Sequence, residues 1–157
     1  TYIADLPSHV EWNHQPQMLT KLTSGPAGVG TRYKTEEQAP SNMPVVQKIM
    51  MKFMMPMMKR KHNFDGYTIA EITDLVPNSR VAWTSHAPTK DGKKLMEMHW
   101  AITLEQQDGA TQVTQSCRPD PPDDSPFKSG VNIPQIKEEV TSNLNRLKTL
   151  LESKEGG

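Results

Sequence analysis

The chain contains five histidines, the side chains that most readily bind metals or transfer protons near neutral pH. They are His9, His14, His62, His86 and His99, and no two of them form an HxH or HExxH pattern. By the alternation of side chains along a strand, His86 and His99 fall on the polar side of their segments. We therefore predict surface positions for His86 and His99 and no metal site.

The cysteine and the acidic side chains give little further indication of metal or acid/base chemistry. Cys117 is the single cysteine, so it forms no internal disulfide or zinc cluster, and we expect a small buried hydrophobe. Glu71 and Glu97 would reach the core as bases only if the strand register slipped by one residue. The acidic group at 120–124 lies among prolines without the spacing of a calcium loop. The residues thus predict neither a metal ion nor another cofactor.

Composition limits the class of partner. Eighteen Lys and Arg balance 18 Asp and Glu, so the chain has no overall basic field and we expect no nucleic acid partner. The low cysteine content predicts a cytoplasmic location. Only 34% of the residues are hydrophobic, but three Trp and ten Met in a clear pattern of apolar runs indicate a folded chain. At 157 residues we predict a single domain over 1–157.

The spacing of apolar residues predicts mainly β-structure. The first twelve residues are helix-like, are interrupted by Pro7 and end at Trp12, which we expect to be exposed. A hairpin is predicted across the turn at 25–28. From Phe64 to Pro119 the pattern indicates four strands, because it is interrupted at Pro77-Asn78, at 88–92 and at Asp108-Gly109.

The period changes after residue 126, where an amphipathic helix is predicted. Its apolar stripe consists of Ile133, Ile136, Val140, Leu144, Leu147 and Leu151. A helix with one apolar stripe and an antiparallel sheet with one apolar face can pack against each other. The sequence therefore predicts an α+β fold with a cavity between a curved sheet and this helix.

Several short segments add a more specific pattern. They are Tyr2–Leu6 leading to Glu11-Trp12, Gly25–Tyr33, Glu71–Pro77 running into Arg80–Trp83, and Ile102–Leu104 with Asp108–Thr114. In this order, and with the closing helix, they resemble the START and Bet v 1-like superfamily, the SRPBCC or polyketide cyclase/dehydrase group. The resemblance covers roughly residues 1–38 and 63–153.

The resemblance implies a helix-grip fold of six or seven antiparallel strands around the C-terminal helix. It also implies that the sequence is a fragment, with a first strand that would precede Thr1. The superfamily includes lipid carriers, receptors and cyclases, so its fold alone does not define an activity. We expect a protein that binds a hydrophobic small molecule, such as a lipid, an isoprenoid or a polyketide-like compound. The alternative is a cyclase or dehydratase in which Tyr33, or a displaced His or Glu, transfers a proton.

The predicted cavity residues share the apolar side of their strand or helix. They are Tyr33, Trp83, Met96, Met98, Trp100, Val113, Ile136, Val140 and Leu144. Tyr33 and the two tryptophans carry a polar group on a largely apolar ring, so they could orient a hydroxyl or carbonyl of a ligand.

An insertion at about 40–62 departs from the family pattern. Its segment 43–61 contains seven of the ten methionines and five basic residues without an acid. It predicts an amphipathic helical region that is a lid over the cavity, a transient contact with an anionic membrane surface, or additional core or protein interface. The candidate lid residues are Ile49, Met50, Phe53, Met54 and Met57.

Overall fold

Six antiparallel strands and one long helix make up most of the computed structural model, which describes residues 2–13, 17–37, 49, 52, 56–57, 59–121 and 132–155. Two short 3-10 helices, Tyr2–Ala4 and Leu6–Glu11, come first. The strands are β1 (Gln17–Lys21), β2 (Arg32–Glu37), β3 (Thr68–Val76), β4 (Arg80–Pro88), β5 (Lys94–Gln107) and β6 (Ala110–Asp120). The C-terminal helix spans Ile133–Glu155. The α+β class predicted from the sequence is confirmed.

All six strands form one sheet in the order β1-β2-β3-β4-β5-β6, so each strand pairs with its neighbour in the chain. The turns lie where the sequence predicts them. Asn78 adopts a positive φ of 59° between β3 and β4, and Asp108 and Gly109 have φ of 48° and 81° between β5 and β6. Two successive residues with positive φ are typical of the type I′ turn, which suits the twist of a hairpin.

The register places the large apolar side chains on one face of the sheet, called here the inner face. Ile72 is paired with Trp83, Trp83 with Trp100, and Trp100 with Cys117. An irregularity between Ile72 and Asp74 changes the alternation in β3. Because this bulge shifts the following residues by one position, Asp74 lies on the outer face, where its Oδ2 accepts a hydrogen bond from Arg80 Nε at 2.9 Å.

The core lies between the inner face, the 3-10 helices and the C-terminal helix. Its buried apolar residues are Ile3, Leu6, Trp12, Tyr33, Ala70, Ile72, Val81, Ile102 and Leu147. Leu147 of the helix is 1% exposed, so the predicted packing of its apolar stripe against other elements is observed there. The expectation of an exposed Trp12 is wrong: the side chain is 2% exposed, because the second 3-10 helix turns it into the core.

Most of segment 43–61 lies outside the described residues. Within it, residues 49, 52, 56–57 and 59–61 are helical. Of the candidate lid residues, Ile49 and Met57 are exposed, whereas Met50, Phe53 and Met54 are not among the described positions. Within the part of the chain that the structure describes, no helix has the length and apolar character needed to cross a membrane.

Candidate ligand cavity

A cavity of about 190 Å³ lies between the inner face of the sheet, the second 3-10 helix and the C-terminal helix. Each strand from β1 to β6 contributes at least one side chain to its wall. The wall is formed by Leu6, His9, Val10, Trp12, Asn13, Leu19, Thr35, Thr68, Ala70, Trp83, Ser85, Trp100, Gln115, Ile136, Glu139, Val140 and Asn143. It combines apolar and uncharged polar side chains in similar numbers, so it is less apolar than the sequence suggested.

One part of the wall is a continuous row of aromatic rings. The centroid of His9 lies 4.7 Å from that of Trp12 and 5.5 Å from that of Trp83, and Trp83 stacks on Trp100 at 6.1 Å. Trp83 and Trp100 meet because they are directly opposite each other in β4 and β5. The chain contains three tryptophans, and all three line this cavity. Such a row can contact the flat face of a conjugated ligand.

His9 brings an ionisable group into this row. Its Nε2 lies 2.8 Å from the carbonyl oxygen of Ile3. Since a carbonyl only accepts, Nε2 carries the hydrogen and Nδ1 keeps a lone pair. Burial lowers the pKa of His9 below its ordinary value, an effect that the bond to Ile3 and the charge of Asp5 partly oppose. His9 is therefore a neutral imidazole at pH 7, with Nδ1 as an acceptor.

Two further polar atoms in the wall residues are buried without a hydrogen-bond partner among the described residues. They are the indole Nε1 of Trp12, which is a donor, and the amide Oε1 of Gln115, which is an acceptor. By contrast, Trp100 Nε1 donates to Ser85 Oγ at 3.1 Å. An unpaired buried polar group costs about 1–3 kcal/mol. Trp12 Nε1 and Gln115 Oε1 are both fully shielded by their neighbours, so they add a cost to the fold but face no open space.

The structure brings four of the nine predicted cavity residues to the wall, namely Trp83, Trp100, Ile136 and Val140. The other five are not among the residues that line it. Tyr33 is 1% exposed within the core cluster, where burial raises its pKa, and Val113 packs against the same cluster. Met96 and Met98 precede Trp100 in β5 and are not among the wall residues.

Leu144 is absent from the wall because of its angle on the helix. The helical residues that line the cavity are Ile136, Glu139, Val140 and Asn143. At about 100° per residue, these four share one side of the helix, and Leu144 points roughly 90° away from its centre. The cavity therefore faces one edge of the apolar stripe, Ile136 and Val140, together with the neighbouring polar residues Glu139 and Asn143.

The titratable groups considered in the sequence lie elsewhere. The register confirms that His86, His99, Glu71 and Glu97 are on the outer face, because the residues that alternate with them carry the inner-face side chains. His99 Nε2 lies 3.5 Å from Glu97 Oε1 and 3.5 Å from Asp120 Oδ2. No group of three or more His, Cys, Asp or Glu suited to a metal ion is found among the described residues.

Sequence reasoning missed His9, Trp12, Gln115 and Glu139. His9 and Trp12 are three residues apart, which is one turn of a 3-10 helix, and this spacing is the signal that could have paired them. Gln115 alternates in phase with Val113 and Cys117, so the β6 pattern already assigned it to the inner face. Cys117 itself is half-buried, and burial raises the pKa of its thiol to about 11.

Comparison with known proteins identifies similar folds. No family model matches the chain, and no curated protein matches it. The structure is similar to the crystal structure of protein CV1439 from Chromobacterium violaceum, with a TM-score of 0.59, 17% identity, and coverage of 96% of this chain and 85% of that one. It is also similar to protein Ms6760 from Mycobacterium smegmatis, with a TM-score of 0.55, 16% identity, and coverage of 97% and 81%. At such identities the similarity concerns the fold alone.

Proposed function

We propose that this protein binds a small, largely apolar molecule in the cavity between the sheet and the C-terminal helix. The observation that carries the proposal is a void of about 190 Å³ whose wall includes every tryptophan of the chain. Trp83 and Trp100 stack on each other in the wall and leave this space open. Well-packed cores rarely leave voids much larger than a water molecule, so a space of this size favours a ligand site over simple packing.

The size of the void sets the size of the ligand. An apolar protein cavity of about 150 Å³ accommodates benzene, so this cavity suits a molecule of one ring or a short branched chain. Burial of about 200 Å² of apolar ligand surface contributes roughly 5 kcal/mol before the costs of association.

We further propose that the fold is the helix-grip of the START and Bet v 1-like superfamily. The sequential antiparallel sheet, the buried Leu147 of the C-terminal helix and the cavity between them support this assignment. The two similar structures share the fold of this chain at low sequence identity, which gives no information about a ligand.

The test begins with the protein as purified. Native mass spectrometry, followed by organic extraction, should detect a small molecule bound to the chain. The variant Val140→Phe places a larger side chain at the cavity wall, and we expect it to reduce occupancy at least about tenfold. Val29→Phe is the matched control, since Val29 is 65% exposed and lies outside the wall.

Two results would contradict the proposal. One is a purified protein that is empty and takes up no compound from a panel of small aromatic and aliphatic molecules. The other is an equal loss of occupancy in Val140→Phe and Val29→Phe, because binding would then lie outside the cavity.

A cyclase or dehydratase is the second candidate, and the observation that favours it is His9. The neutral imidazole in the wall has a lone pair on Nδ1, as a general base requires. The two candidates separate in the extraction experiment. A carrier returns the added compound chemically unchanged after incubation, whereas an enzyme converts it.

A further inference from the structure

The charge of the cavity wall restricts the ligand. None of the described residues that line it is Lys or Arg, and its ionisable side chains are His9 and Glu139. Glu139 Oε1 accepts a hydrogen bond from Gln135 Nε2 at 3.1 Å, and His9 has no positive charge at pH 7. An anion placed here would lose its hydration without gaining a cationic partner, which is strongly unfavourable. The wall therefore selects against carboxylates and phosphates.

The polar atoms of the wall restrict the chemistry of the ligand further. His9 Nδ1 offers a lone pair, because Nε2 is the atom that donates to the Ile3 carbonyl at 2.8 Å. This lone pair calls for a donor on the ligand. A purely hydrocarbon guest would leave it unpaired in a dry site.

The aromatic row indicates what should carry that donor. His9 lies in the same row of rings as Trp12 and Trp83, at centroid distances of 4.7 and 5.5 Å. A flat ring that packs on the tryptophans can therefore present a substituent in its own plane towards the imidazole. The volume of about 190 Å³ limits the ligand to about one such ring.

We propose, building on the carrier function above, that the ligand is an uncharged single-ring aromatic compound with a hydroxyl group, a phenol, whose O–H donates to Nδ1 of His9. The tryptophan row holds the ring, and the hydroxyl distinguishes this ligand from a hydrocarbon of the same shape.

Three matched probes test the proposal on the wild-type protein: 4-methylphenol, its methyl ether 4-methylanisole, and 4-methylbenzoate. Calorimetric titration gives the affinities, and the three tryptophan indole N–H signals in a nitrogen-15 NMR spectrum report on the wall. We expect 4-methylphenol to bind at least about tenfold more tightly than the ether, because the ether lacks the donor. We expect no measurable binding of the benzoate at neutral pH.

Variants then test whether His9 causes the preference for the phenol over the ether. His9→Phe keeps an aromatic ring but removes Nδ1, so the ratio of phenol to ether affinity should fall towards one. His86→Phe is the matched control on the outer face and should keep the wild-type ratio. Gln115→Leu is a control within the wall, and it should keep the wild-type ratio because Gln115 Oε1 is fully shielded.

The outcomes separate this inference from the carrier function. Equal affinity for the phenol and the ether, or tighter binding of the benzoate, overturns the assignment of ligand class while binding itself stands. A wild-type ratio in a folded His9→Phe protein also overturns it. Failure of all three probes to bind, together with an empty protein in native mass spectrometry, overturns both proposals.

Discussion

At the scale of single residues, His9 is the titratable group of the aromatic row in the cavity wall. Its ring contacts Trp12 and Trp83, and its Nε2 is held by the carbonyl of Ile3. A buried imidazole whose Nε2–H already donates to a carbonyl is favoured in its neutral form, because protonation of the other nitrogen would bury a charge. The same residue therefore connects ligand recognition to the stability of the fold.

This connection predicts how stability changes with pH. Burial lowers the folded-state pKa of His9 below its ordinary value of 6.5, so the unfolded chain takes up the proton first as the pH falls. The contribution of His9 is fully present above pH 6.5 and is lost as the pH falls through the folded-state pKa. Chemical denaturation between about pH 8 and about pH 5 should show a smaller pH dependence for His9→Gln than for the wild type.

The control for this prediction is His86→Gln. Burial also lowers the pKa of His86, and nearby Lys94 and Arg32 lower it while Glu97 and Glu71 raise it. His86 is only half-buried, so we expect its substitution to remove less of the pH dependence than that of His9. A larger effect from His86→Gln would contradict the assignment to His9.

At the scale of elements, local turn chemistry sets the sheet. The ends of β3, β4, β5 and β6 were predictable because Asn78, Asp108 and Gly109 stand where a positive φ is needed. The bulge in β3 was not predictable from alternation, since it depends on pairing with β4. It reverses the faces of Asp74 and Leu75, and Leu75 thereby packs against the core.

The turn between β5 and β6 supports a direct test. Gly109 has a φ of 81°, in a region that a side chain makes unfavourable by about 1–2 kcal/mol. Gly109→Ala should therefore lower the free energy of unfolding by about 1 kcal/mol, measured by urea denaturation. Gly28→Ala is the control: Gly28 has no positive φ and open space around it, so a change within about 0.5 kcal/mol is expected. Equal effects of both substitutions would show that the turn conformation is not the cause.

At the scale of the whole molecule, the two ends of the described chain meet at the cavity. Asn143 of the C-terminal helix donates from Nδ2 to Asn13 Oδ1 at 3.3 Å, and both residues line the wall. Asn143 is 8% exposed. This contact joins the segment after the second 3-10 helix to the C-terminal helix. In the sequence, all six strands lie between these two segments.

Loss of this contact should affect the molecule as a whole. Asn143→Leu removes the donor, and we expect the free energy of unfolding to fall by about 1 kcal/mol and bound ligand to exchange faster. Thermal denaturation and a competition assay measure the two effects. Asn145→Leu is the control on the exposed side of the same helix and should leave both unchanged. An exchange rate that does not respond to Asn143→Leu would contradict the role of this contact at the cavity.

The residues of the cavity wall were predictable only in strands and in the long helix, where regular spacing defines a face. Trp83 and Trp100 follow from alternation, and Ile136 and Val140 follow from helical spacing. His9 and Trp12 belong to a short 3-10 segment, whose few residues define no face until the segment packs. Leu144 was assigned to the cavity because spacing reveals an apolar stripe but not the rotation of the helix against the sheet.

The sequential order of the strands has a kinetic consequence. Every strand pairing joins neighbours in the chain, so each can form after closure of a comparatively local loop, at a modest entropic cost. Docking of the terminal helix onto the N-terminal segment, by contrast, joins residues 130 positions apart. In a refolding experiment, strand circular dichroism should therefore recover before the tryptophan environment does, and the capacity to hold a guest molecule should emerge with the slower of these two phases.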